Sequence, residues 1–107
     1  MEFLTDLVTT VPEGTSPGKV DELRAAEALR AAELAKKGHL VRLWRPPLGP
    51  GEWRSIGLFR ADNETELRKI LESLPLHIWM NVTITPLTPH PNDPENRAYK
   101  TMNHTQD

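Results

Sequence analysis

The stretch SPGKVDELRAAEALRAAELAKK, residues 16–37, decides how the rest of the chain can be arranged. Val20, Leu23, Ala31 and Leu34 recur at helical spacing and define one apolar stripe. Ser16 ahead of Pro17 fits an N-cap and a first helical residue, and Gly38 fits the stop. The Ala, Glu, Arg and Lys residues between them have high helix propensity. Asp21 and Glu22 come early and Lys36 and Lys37 late, the sense that suits the helix macrodipole. Glu27 lies four residues after Leu23 and four before Ala31, so it points along the middle of the stripe. A carboxylate there needs a partner or a task. Leu29 points to the opposite side and is a candidate contact with another chain.

Residues 2–11 precede this helix and read as a strand rich in Val, Leu, Thr and Phe. Phe3, Leu7 and Val11 share one face; Leu4, Asp6 and Val8 share the other. Apolar residues on both faces point to a sheet covered on both sides. After the helix, residues 39–45 read as a second strand, with Leu40, Arg42 and Trp44 on one face and His39, Val41, Leu43 and Arg45 on the other. The run Pro46-Pro47-Leu48-Gly49-Pro50-Gly51 must be a loop. Residues 53–60 form a third strand. Asn63 and Glu66 resemble a capping box, and Leu67, Ile70, Leu71 and Leu74 predict an amphipathic helix ended by Pro75. Residues 80–87 form a fourth strand. The order β-α-β-β-α-β predicts an α+β, ferredoxin-like fold: a four-stranded antiparallel sheet with both helices on one face. Its bare face calls for a second sheet, as in a dimeric α+β barrel. Residues 1–88 are assigned to this domain and residues 89–107 to a C-terminal arm or disordered tail.

Composition narrows the function. The chain has 107 residues, 37% of them hydrophobic, a net charge of -2 and no cysteine. Mean hydropathy is -0.52. One thin core of this size is helped by self-association. The charge gives no basic field for nucleic acid. Disulfide and thiolate chemistry are excluded. The first residues lack a basic region and a long apolar run, so neither a signal peptide nor a membrane anchor is expected, and a cytoplasmic location is. His39, His77, His90 and His104 show no metal-ligand spacing.

Several short segments carry a family resemblance over residues 2–93. They are Arg24-Ala25-Ala26-Glu27, Gly38 followed four residues on by Arg42-Leu43-Trp44-Arg45, Leu74-Pro75-Leu76 with Met80 beyond it, and His90-Pro91. In order and spacing the chain resembles the muconolactone delta-isomerases. The resemblance implies a ferredoxin-like subunit, pairing of two sheets in a homodimer, and rings that are decamers in the isomerase. It also implies a cofactor-free allylic proton shift converting muconolactone, a carboxylated lactone, into 3-oxoadipate enol-lactone in aromatic catabolism. Two positions depart from the family pattern. Glu52-Trp53 stand where it has a His-Tyr pair, and Arg42 stands where it has a histidine.

Glu27 is the candidate general acid/base, since one carboxylate in a partly apolar pocket can remove and return the proton. Its competing role is an ion pair with Arg24 or Arg42. Arg42 and Arg45 are candidates to hold a substrate carboxylate, Arg42 first because it shares a strand face with Leu40 and Trp44. Arg54 reads as a solvated arginine. Arg24 would lower the Glu27 pKa unless engaged elsewhere. Trp44 and Trp53 are candidate pocket walls, and Trp79 a core or interface residue. Glu52 is a loop carboxylate and a second acid/base candidate. A non-catalytic small-molecule-binding or assembly protein on the same scaffold is the alternative, and the missing histidines are its support.

Overall fold

The structure, a computed structural model, describes residues 1–95. Histidine 104 and the greater part of the expected arm or tail, residues 96–107, lie outside the described residues. Strand β1 (Glu2–Thr9) sits inside the sheet, and the order is completed by β2 (Leu40–Trp44), β3 (Arg54–Arg60) and β4 (Met80–Leu87). Across the sheet the order is β2-β3-β1-β4, with every neighbouring pair antiparallel. Helices α1 (Pro17–Lys36) and α2 (Glu64–Glu72) complete the β-α-β-β-α-β pattern. This is the α+β, ferredoxin-like fold expected from the sequence.

The two faces of β1 have different fates. Phe3, Thr5, Leu7 and Thr9 are buried under the helices. Leu4, Asp6 and Val8 alternate with them and face outward. Phe3, Leu7, Phe59, Leu34, Leu67 and Leu71 dominate the core between sheet and helices, and Met80, Val82 and Ile84 of β4 pack against it. Within this apolar layer the Thr5 hydroxyl donates to the Gly57 carbonyl at 3.1 Å. Gly57 is required there, because a Cβ would lie 2.7 Å from the Phe59 ring.

Local signals explain the helix ends. The Ser16 hydroxyl accepts from the Lys19 amide at 3.2 Å, and Gly38 adopts a φ of 84° just past the end of α1. Asp21 and Glu22 fall beyond the first turn, which holds no acidic residue. Asn63 Oδ1 accepts from the Glu66 amide at 2.8 Å, while the Glu66 carboxylate accepts from Asp62 at 3.3 Å. The cap is therefore reciprocal but reaches one residue further back than a capping box. Pro75 ends the α-helical path and begins a 3-10 helix, Pro75–Trp79, that the spacing does not foretell.

One strand reading is corrected. Leu40 pairs with Phe59, but Arg42 pairs with Leu58 and Trp44 with Ile56, because a bulge intervenes between Leu40 and Arg42. Simple alternation puts Leu40, Arg42 and Trp44 on one face. The bulge instead turns Leu40 and Leu43 toward the helices and leaves Arg42 and Trp44 on the outer face. There the Arg42 guanidinium stacks on Trp44, 5.1 Å from the ring centroid. Leu4, Val8, Ile56 and Leu58 share this face. So do Asp6 and Arg54, joined by two hydrogen bonds of 2.8 and 2.6 Å. That pairing holds the Asp6 carboxyl below its ordinary pKa.

Candidate active site

A cavity of about 210 Å³ opens between α1, the 3-10 helix and the helix-facing side of the sheet. Leu7, Leu40 and Phe59 of the sheet and Leu34 of α1 make much of its lining apolar. Glu27 enters from α1; Arg24, Arg45 and Trp53 also border the cavity.

Glu27 is held by a backbone group. Its Oε1 accepts from the Leu76 amide at 2.9 Å. The reason lies in the 3-10 helix. A helix start leaves amides without partners, Pro75 has none to offer, and Leu74 supplies no side-chain cap. The Leu76 amide is therefore a free donor, and the carboxylate of α1 caps it from another element. Among the described residues Glu27 forms no ion pair with Arg24 or Arg42. Arg24 instead lies over the Trp53 ring, 5.3 Å from its centroid.

This setting tunes the carboxyl. Partial burial disfavours its charged form and raises its pKa; the Leu76 amide and nearby His77 offset that only in part. The result is a carboxylate with one oxygen fixed and the other available to the cavity. Two arginines, Arg24 and Arg45, stand beside it, and neither makes an ion pair among the described residues.

The structure thus brings Glu27, Arg24, Arg45 and Trp53 together. It does not bring in Arg42, Trp44 or Glu52. Arg42 and Trp44 are turned to the outer face by the bulge. Glu52 follows a turn in which its amide donates to the Gly49 carbonyl at 3.2 Å and Gly51 adopts a φ of 77°. That turn leaves Glu52 exposed on a separate surface depression. Ser55 and Thr9 also border the cavity, and strand alternation with Leu7 could have pointed to both. The Leu76 amide could not be found that way, since no side-chain pattern marks a backbone donor. His39 serves the fold: its Nδ1 lies 2.9 Å from the Arg60 carbonyl.

An α+β subunit with a half-buried carboxylate in a cavity between helix and sheet defines the structural class. The comparisons then place it. The family model for muconolactone delta-isomerase matches residues 1–93, and the chain belongs to that family. The muconolactone delta-isomerase of Rhodococcus opacus is 35% identical over 91 residues, covering 85% of this chain and 95% of the relative. That of Acinetobacter lwoffii is 30% identical, covering 86% and 93%. A crystal structure of muconolactone isomerase superposes with a TM-score of 0.80 at 26% identity, covering 90% of this chain and 97% of the other. Among the described residues no helix is long and apolar enough to cross a membrane.

The raised Glu27 pKa has a consequence for stability. Between the ordinary value of 4.5 and the raised one, the folded chain holds a proton that the unfolded chain has released. Stability therefore falls as pH rises through that window. Glu27→Gln keeps an acceptor for Leu76 but cannot titrate. Urea unfolding at a series of pH values should show the stability of this variant gaining on the native chain as pH rises through the window, then levelling.

Proposed function

We propose that this chain is a muconolactone delta-isomerase that moves a carbon–carbon double bond without a cofactor. The observation that carries the proposal is Glu27: half-buried, raised in pKa, anchored through one oxygen, and open to a cavity bordered by two arginines. The Glu27 carboxylate takes a proton from the carbon gamma to the lactone carbonyl. The C–H electrons become the new double bond, and the old double-bond pair shifts to give a dienolate. The Glu27 carboxyl returns the proton at the alpha carbon and is a carboxylate again. Its raised pKa brings the carboxyl closer to the acidity of the carbon it serves. Arg45 holds the substrate carboxylate, and Arg24 turns from Trp53 to join it.

The family match and this cavity do not favour the non-catalytic alternative. The same proposal includes a partner sheet over the outer face, where Leu4, Val8 and Trp44 are exposed. It extends to the homodimer and decamer and to a cytoplasmic role in aromatic catabolism. Sedimentation should show an assembly; a lone 12.1 kDa chain at micromolar concentration would remove that part.

The chemical test is turnover of muconolactone by the purified protein, followed by the absorbance change on double-bond migration. Glu27→Gln should lower kcat by roughly 10²–10⁴-fold, the range for loss of a general acid/base. Arg45→Ala should raise KM about tenfold or more, as loss of a charged hydrogen bond of about 1.5–3 kcal/mol implies. Full activity in Glu27→Gln would overturn the assignment.

A further inference from the structure

The cavity floor carries two hydroxyls that the proton transfer does not use. Ser55 of β3 lies directly opposite Leu7, and the Thr9 amide donates to the Trp53 carbonyl at 2.9 Å. Thr9 and Ser55 are therefore diagonal neighbours on the helix-facing side of the sheet, about 7–8 Å apart along the backbone and closer at their side chains. Both border the cavity that Glu27 enters.

Their hydrogen bonding sets them apart from their neighbour. Thr5, on the same face of β1, spends its hydroxyl on the Gly57 carbonyl. Neither Thr9 nor Ser55 makes a side-chain hydrogen bond among the described residues. Yet no buried side-chain oxygen is left without a partner. The Thr9 residue is 7% exposed, so its hydroxyl oxygen must itself reach open space. Two donors without internal partners thus border the cavity, on the side of the sheet that carries Leu7. In a cavity partly shielded from water a hydroxyl gains most from an acceptor that becomes charged during reaction.

We infer that the Ser55 and Thr9 hydroxyls donate to the lactone carbonyl oxygen and stabilise the negative charge it gains as the dienolate forms. This assignment rests on the isomerase reading above. The proton balance is unchanged. Glu27 takes the gamma proton, charge moves through the conjugated system to the carbonyl oxygen, the two O–H groups strengthen their bonds to it, and the charge is discharged when Glu27 protonates the alpha carbon. Glu27 reaches the cavity from the α1 side and the hydroxyls from the sheet side, so one bound lactone can meet both. The arginines take its carboxylate.

Because these bonds strengthen only as charge develops, their loss should appear in kcat and not in KM. Ser55→Ala and Thr9→Val should each lower kcat on muconolactone about 10-fold or more, with KM within about threefold, toward the range seen when an oxyanion donor is removed. Thr9→Ser, which retains the hydroxyl, should restore most of the kcat lost in Thr9→Val. Circular dichroism and thermal unfolding check that each variant is folded. If Thr9→Val fails to fold, Ser55→Ala and Thr9→Ser still decide the matter: the first must lose kcat and the second must keep it. Folded Ser55→Ala and Thr9→Val with native kcat, in an enzyme whose native form turns over muconolactone, would overturn this assignment alone. A native protein inert toward muconolactone would overturn the isomerase reading and this assignment with it.

Discussion

The hydrogen bond from the Leu76 amide to Glu27 ties the candidate site to the fold. It exists because Pro75 starts a 3-10 helix with one unsatisfied amide, and because Glu27 faces that amide from the middle of the α1 stripe. The bond answers the question posed by a carboxylate on an apolar face. Glu27 is satisfied by a backbone donor, not by an arginine. It keeps its charge weakly, since burial works against ionisation and only one neutral donor and a histidine work for it. An arginine partner would have fixed the charge and removed the base. Arg24 meanwhile lies over the Trp53 ring and makes no ion pair with Glu27 among the described residues.

The sheet then sorts the remaining charges by face. One bulge in β2 assigns Leu43 and Arg45 to the cavity side and Arg42 and Trp44 to the outer side. A single inserted residue thus decides which arginine can meet a substrate beside Glu27. The outer face is mixed: Leu4, Val8 and Ile56 flank the Asp6–Arg54 pair on one side and Thr83 faces it from β4 on the other, while the pair satisfies its own charges.

The large elements were legible because their periodicity is strong. The α2 spacing of Leu67, Ile70 and Leu71, the Ser16 and Asn63 caps and the β-α-β-β-α-β order all follow from local rules, and the structure has them. Glu27 was legible for the same reason, as a charge in a stripe. What was not legible depends on irregular backbone. The β2 bulge defeats an alternation count, so Arg42 was placed on the wrong face. The 3-10 helix follows a proline that reads only as a helix stop, so the Leu76 donor stayed hidden. Glu52 is a candidate only as a loop carboxylate at the family's His-Tyr position, and the turn closed by its amide on the Gly49 carbonyl leaves it on a separate depression. Ser55 and Thr9 are small polar residues with no signal beyond their parity with Leu7.

Glu27 is a weakly held charge and not half of an ion pair. The most direct measurement is the titration of its side-chain carboxyl carbon by NMR, assigned by comparison with the Glu27→Gln variant. The midpoint should lie above the ordinary glutamate value of 4.5, because burial outweighs the Leu76 amide and His77. A midpoint at or below that value would mean a carboxylate fully stabilised by its partners, and Glu27 would not be a weakly held charge.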